Sequence, residues 1–298
     1  MSENLTRKPD SGASDHPPIH SDESPPMTNT NHDADTNPSQ MVTLERRGNG
    51  VALLTLNRPP LNLFTLEMTR VFDKRLHEIK EDSSIRSVVL TGAGERAFGA
   101  GSDIKEFPDY FEAGTVIETK LRYENDVYNR LEDLPQATVA AMRGAALGGG
   151  LELALCCDFR VGSEDMKLGL PEVKLGVYPG AGGLIRLPRL IGESRAKEVM
   201  FLGNLISAEQ ALSWGILNRV TPKEEVLGTA IGFAAELAKR PAKAIQIMKR
   251  GIRELGNKPR DEAVEASLVL SEEVFATEDA KEGVDAFFGK REAEYKHR

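Results

Sequence analysis

Two carboxylates and three glycine-rich turns are the parts of this chain best suited to chemistry. The first turn is Phe98-Gly99-Ala100-Gly101-Ser102-Asp103-Ile104-Lys105. Its two glycines let the backbone turn sharply and approach a ligand, so the N–H of Ser102 reads either as a donor to an oxyanion or as part of an ordinary βα turn. The second is Gly144-Ala145-Ala146-Leu147-Gly148-Gly149-Gly150-Leu151-Glu152. Three glycines at a helix start leave bare N–H groups at the positive end of the dipole, a site for an anion or oxyanion. Glu152 falls on the first turn of that helix. It reads either as a general base beside an oxyanion hole or as a surface acid complementing the dipole. The third is Leu170-Pro171-Glu172, followed by a glycine run ending at Gly183. Proline fixes the backbone just before a second carboxylate. Alone, Glu172 also reads as a surface acid. Together, two carboxylates and two N–H sites suit proton transfer at the α and β carbons of a carbonyl compound, the N–H pair holding an enolate.

Other chemistries lack raw material. No Gly-Lys-Ser/Thr ends the second turn, and the Gly-x-Gly-x-x-Gly spacing is absent there, so neither a phosphate loop nor a dinucleotide fingerprint is present. Of five histidines, His16, His20 and His32 lie in the N-terminal segment, His297 is penultimate, and His77 sits in an amphipathic stretch. That leaves little for a Ser-His-Asp triad or a histidine zinc site. Cys156 and Cys157 are adjacent, a poor arrangement for a disulfide or a metal. No metal or redox cofactor is implied. The 298 residues carry 38 basic and 46 acidic side chains, a net −8, which removes the electrostatic basis of general nucleic-acid binding. No apolar run reaches membrane-spanning length. The chain reads as soluble, reduced and cytoplasmic.

The elements that must position these residues follow from pattern. Residues 1–40 hold six prolines, seven acids, two bases and six apolar side chains. Such a composition predicts a disordered tail, either a regulatory arm or the product of an upstream start codon, with Met27 and Met41 as alternative starts. Val51–Asn57, Ser87–Leu90 and Ala137–Met142 read as buried strands; Asp158–Val161 and Met166–Gly169 read as short ones. Thr65 caps a helix carrying Met68, Val71, Phe72, Leu76 and Ile79 inward. Residues 115–132 read as a helix with Ile117, Leu121, Tyr128 and Leu131 on one face, and Leu151–Cys157 as an apolar helix. Ser207/Gln210 and Thr221/Glu224 read as capping boxes, and Thr277 caps the last helix. Residues 223–240, 242–255, 261–276 and 278–290 read as successive helices. The fold class is α/β with a helical C-terminal part, without an internal sequence repeat.

In this order and spacing the motifs resemble the crotonase family, the enoyl-CoA hydratase/isomerase superfamily. The matching segments are residues 97–107, 144–158, 170–183 and 207–220, within a resemblance that spans about residues 42–298. The resemblance implies a spiral of ββα turns over residues 41–225 and a helical trimerisation region over 226–298, in a homotrimer or a dimer of trimers. It implies an acyl-CoA substrate, coenzyme A arriving as part of it. Ser102 and Gly149 would supply the oxyanion hole, Glu152 would activate water for addition at C3, and Glu172 would handle the C2 proton. Ala100, Ser102, Asp103, Ile104, Lys105, Gly148 and Gly149 would bind substrate, with Lys105 near the phosphates. Phe287-Phe288-Gly289-Lys290 resembles the segment that reaches a neighbour's CoA site. The chain departs from the family pattern at three places: Ser102 stands where alanine is common, Tyr178 where a smaller or apolar residue is, and Leu184-Ile185 where a polar pair is. The last two bear on the acyl pocket. Hydration is the leading expectation because both glutamates are present. A Δ3-Δ2 isomerase, decarboxylase or hydrolase on the same fold, and an RNA-binding or other binding protein using the basic 239–260 region, stay open at this point.

Overall fold

The computed structural model describes residues 37–297. The expectation for the N-terminal tail falls, up to residue 36, outside the described residues. Pro38–Gln40 form one 3₁₀ turn, with Asn37 Oδ1 accepting from Ser39 N at its start.

The larger sheet holds β1 (Val42–Gly48), β2 (Val51–Leu56), β3 (Ser87–Gly92), β5 (Ala137–Met142), β7 (Phe159–Ser163) and β10 (Arg219–Thr221), in the order β1-β2-β3-β5-β7-β10. The smaller holds β4 (Ala97–Gly99), β6 (Ala145–Leu147), β8 (Lys167–Gly169) and β9 (Ile206–Ser207), in the order β4-β6-β8-β9. Only β1/β2 and β8/β9 are antiparallel. Three times the chain runs along a strand of the larger sheet, turns into one of the smaller, and returns through helix. The pairs are β3–β4, β5–β6 and β7–β8. This is the expected ββα spiral. It repeats in space although nothing repeats in sequence, because each turn needs only an apolar run, a glycine and a helix.

Both faces of β3 and β5 are buried, so they read as unbroken apolar runs rather than alternating ones. Val88, Leu90, Ala140 and Met142 face the main core, with α1 (Leu66–Glu81) and its inward Met68, Phe72, Leu76 and Ile79. Thr65 caps α1 as expected, accepting from Met68 N at 3.2 Å. Val89, Val139 and Ala141 face a second core under α8 (Val226–Ala238), whose Ala230, Ala234 and Ala238 lie flat on the sheet. Ser87 Oγ donates to Ala234 O at 2.8 Å and Arg86 Nε to Ala238 O at 2.9 Å, tying α8 to that sheet. By packing, α8 is part of the body.

Several elements differ from the expectations. α2 (Phe107–Ala113) precedes a π-helical turn at Val116–Leu121, and only then does α3 (Arg122–Glu132) begin. The wider π turn shifts the helical phase, so Lys120 points inward and Ile117 is 53 % exposed. α5 (Gly183–Ile191) and α6 (Glu193–Leu202) were not legible, since glycines precede the first and Pro188 lies inside it. Ser207 caps α7 (Ala208–Ser213), accepting from Gln210 N. Thr221 caps nothing: it ends β10, paired in register with Ser163, and a 3₁₀ turn precedes α8. α9 (Ala242–Leu255), α10 (Arg260–Phe275) and α11 (Glu278–Gly289) follow, and Thr277 caps α11 by accepting from Ala280 N.

α4 (Gly149–Leu155) starts against β4 so closely that a Cβ on Gly150 would lie 2.0 Å from Gly99 O. Both partners are backbone, so neither can swing away. Gly150→Ala will destabilise the protein by about 2 kcal/mol or more, in the range of overpacking changes, read as a lowered urea midpoint at unchanged slope.

Candidate active site

The oxyanion turn is assembled by a short parallel bridge. Phe64 N donates to Gly101 O at 2.9 Å and Asp103 N to Phe64 O at 2.8 Å, holding Ser102 between them. Gly101 has φ +93°, a conformation natural to glycine. The N–H of Gly149, at the first position of α4, has no carbonyl of its own helix to reach. The two sites adjoin: a Cβ on Gly149 would lie 3.8 Å from Ser102 N, and one on Gly101 3.5 Å from Gly149 N. Tyr128, fully buried on α3, donates its hydroxyl to Gly149 O at 3.1 Å and steadies this peptide.

Glu152 sits one turn into α4 and is 2 % exposed. Its Oε1 accepts from Ala181 N at 2.8 Å and Gly183 N at 2.7 Å, both on the glycine run after Glu172. The surface-acid reading of Glu152 is therefore excluded. Burial pushes its pKa up to about 8; the two N–H donors pull the other way, and the charges of Glu172 and Glu124 add to the rise. Glu172 stands on a 3₁₀ turn, Pro171–Leu175. Burial pushes it up to about 7, and its Oε2 is shielded from water with no partner in the chain. Its Oε1 comes within 3.1 Å of where a Cβ on Gly148 would stand, and Gly148 has φ +52°. So Gly148, Gly149, Glu152 and Glu172 meet at one helix start, with Ser102 opposite.

The remaining candidates divide. Asp103 turns away from this cluster. Its carboxylate accepts from Arg58 at 2.9 Å and from Lys105 N at 3.2 Å, so it shapes the loop. Ala100 donates its N–H to Leu61 O. Ile104 and Lys105 are exposed beyond Ser102. Tyr178, Leu184 and Ile185 are each about half exposed or more, outside the buried wall around Glu152. Three features of this region were not singled out from sequence: the N–H groups of Ala181 and Gly183, the hydroxyl of Tyr128, and two buried charged side chains, Lys120, which pairs with Glu106, and Glu124. The last had a signal, since Glu124 interrupts the inward stripe of Leu121, Tyr128 and Leu131. Among the described residues no group of three or more His, Cys, Asp or Glu side chains is placed to hold a metal, and no helix is long and apolar enough to cross a membrane.

Residues 46–298 match the family model described as enoyl-CoA hydratase/isomerase, and the chain belongs to that family. It is 38 % identical over 255 residues to a short-chain-enoyl-CoA hydratase of Clostridium acetobutylicum, covering 85 % of this chain and 96 % of that one. It is 33 % identical to a crotonyl-CoA hydratase of Syntrophomonas wolfei, over 82 % and 94 % of the two chains. Among solved structures, an enoyl-CoA hydratase from Bacillus anthracis superposes with a TM-score of 0.82 at 36 % identity, over 86 % of this chain and 99 % of that one.

Burial of Glu152 has a thermodynamic sign. The native state holds this proton more tightly than the unfolded chain, whose carboxyl titrates near 4.5. The associated stability is complete below about pH 4.5 and is lost as pH rises to about 8. Glu152→Gln keeps an acceptor for Ala181 and Gly183 without the charge. Its stability relative to the parent will rise between pH 5 and pH 9 by an amount on the order of a few kcal/mol, read by urea denaturation at both pH values.

Proposed function

We propose that this protein is an enoyl-CoA hydratase, adding water reversibly across the double bond of a 2-enoyl-CoA thioester. The observation that carries this reading is the pairing of two differently held carboxyls, Glu152 buried and Glu172 half-buried, beside two free N–H groups. Glu152 has one oxygen fixed by Ala181 and Gly183, which leaves Oε2 to receive a proton from water. Glu172 keeps Oε2 unpartnered for the substrate.

In this reading the thioester oxygen lies between Ser102 N–H and Gly149 N–H. Water oxygen bonds to C3 while Glu152 takes its proton. The C2=C3 electron pair moves toward the thioester carbonyl and forms an enolate, which the N–H pair stabilises. Glu172, carrying a proton, delivers it to C2 and the carbonyl reforms. One carboxyl ends protonated and the other ionised, and exchange through the next water restores the start. Hydration needs Glu152 ionised and Glu172 protonated, and the reverse dehydration needs the opposite; burial, which pushes both carboxyls toward neutrality, keeps both arrangements within reach near neutral pH. Coenzyme A enters and leaves with the acyl group; Ile104 and Lys105 stand at the rim where its pantetheine and phosphates would pass. A Δ3-Δ2 isomerisation would use Glu172 alone.

The assembly we infer is a homotrimer or a dimer of trimers. α9–α11 expose Ile252, Phe275, Phe287 and Phe288, apolar area that a neighbouring copy would cover.

Purified protein will consume the conjugated enoyl-thioester absorbance of crotonyl-CoA. Glu152→Gln and Glu172→Gln will each lower that rate by about 10² to 10⁴. Full hydration in both variants would overturn the assignment. A normal rate on a 3-enoyl-CoA in Glu152→Gln would select the isomerase instead. The kcat/KM profile will be a narrow bell with limbs near pH 7 and pH 8, since both carboxyls protonated or both ionised is unproductive.

A further inference from the structure

One buried carboxyl is left unused by this chemistry. Glu124 is 2 % exposed, and its Oε1 is sealed from water without a hydrogen-bond partner in the chain. Its place on α3 shows what it faces. Leu121 lies against Gly180, with both terminal methyls 3.3 Å from where a Cβ on Gly180 would stand. Asn125 Nδ2 donates to Gly180 O at 2.7 Å. Tyr128 reaches Gly149. Residues 121, 124, 125 and 128 share one helical face. That face of α3, Glu124 with it, is turned toward the loop that holds Glu152 and the start of α4; in the acyl-CoA reading, the acyl chain of a thioester seated on Ser102 and Gly149 extends along it.

The surrounding charges do not account for it. Lys120, 1 % exposed, is within 3.3 Å of Glu106 Oε2. Glu106 also accepts from Leu66 N with both oxygens, at 3.1 and 3.2 Å. That ion pair is balanced without Glu124. Tyr128 donates its hydrogen bond to Gly149 O. Burial pushes the Glu124 carboxyl up toward its neutral form, Lys120 draws it back and Glu106 adds to the rise. A carboxyl in this setting can donate or accept, the property needed to meet a hydroxyl.

We propose that Glu124 determines specificity, its unpartnered oxygen sharing a hydrogen bond with a hydroxyl on the acyl chain of the substrate. The inference rests on the acyl-CoA reading of the same site. An unsubstituted chain that reaches Glu124 leaves its oxygen without a partner, as in the free protein, whereas a hydroxyl at the right carbon supplies one. A four-carbon chain serves as the reference for contacts made nearer the thioester. The site then favours longer acyl groups that carry a hydroxyl over unsubstituted ones of the same length.

Calorimetric binding of saturated, unreactive thioesters tests this apart from turnover. The probes are butyryl-CoA, hexanoyl-CoA and hexanoyl-CoA bearing a hydroxyl at C4, C5 or C6. The whole protein should bind at least one hydroxylated ligand about 10-fold more tightly than hexanoyl-CoA, in line with the discrimination of hydrogen-bonding pockets. Glu124→Leu should erase or invert that preference and leave butyryl-CoA affinity within about 2-fold; Glu124→Gln, which keeps a donor and an acceptor, should retain it. Equal affinity of the parent for hexanoyl-CoA and every hydroxylated ligand would overturn the proposal. So would an unchanged preference in Glu124→Leu, or an equal loss of all ligands including butyryl-CoA, the mark of a structural role. Crotonyl-CoA hydration by the parent, measured alongside, reports separately on the hydratase assignment.

Discussion

The organisation of this molecule depends on a contact that admits no side chain. α4 must begin against β4 at backbone distance, which Gly150 allows and any larger residue at that position prevents. That approach brings the first N–H of α4 beside Ser102 and sets Glu152 one turn deeper, under the glycine run that binds its carboxylate. A helix dipole favours negative charge near its start, so the same geometry suits both a buried acid and a developing oxyanion. Moving α4 outward would separate the N–H pair and expose Glu152 together.

Placing carboxyls inside an apolar body is costly unless their lone pairs are met. Two backbone N–H groups meet one oxygen of Glu152. Glu172 has no such support at Oε2 and is only half-buried. Both are forced toward neutrality by desolvation, and the charge of Glu172 further resists ionisation of Glu152. Their proton affinities thus come close to neutral pH without histidine, which this chain scarcely has outside its termini. Nearby Lys120 and Glu106 are spent on one another, and Glu106 also on the N-terminus of α1.

Much of this could be read from the chain, for identifiable reasons. β3 and β5 are short apolar runs bounded by polar turns, and Thr65, Ser207 and Thr277 cap helices through local bonds that sequence reports directly. Glu152, Glu172, Ser102 and Gly149 stood out because glycines surround them. The rest depended on distance in space. The donors to Glu152 are backbone atoms about thirty residues away and have no residue signature. β1 is a charged edge strand that only its hairpin partner makes legible, and Thr221 resembled a cap until strand pairing claimed its backbone. The π turn ahead of α3 changed which side chains face inward, a phase shift that a 3.6-residue period does not report.

The C-terminal helices invite description as an appendage, and α8 shows where that description stops. It lies on Val89, Val139, Ala141 and Val161, and its carbonyls accept from Ser87 and Arg86 of the sheet beneath. A chain cut at its start would expose one whole face of the larger sheet to water. Modularity in this protein therefore begins after α8, at the short joint around Pro241. An exchange of C-terminal helices between relatives could preserve the sheet if it broke there. A break fifteen residues earlier would force the incoming α8 to match a foreign sheet residue by residue.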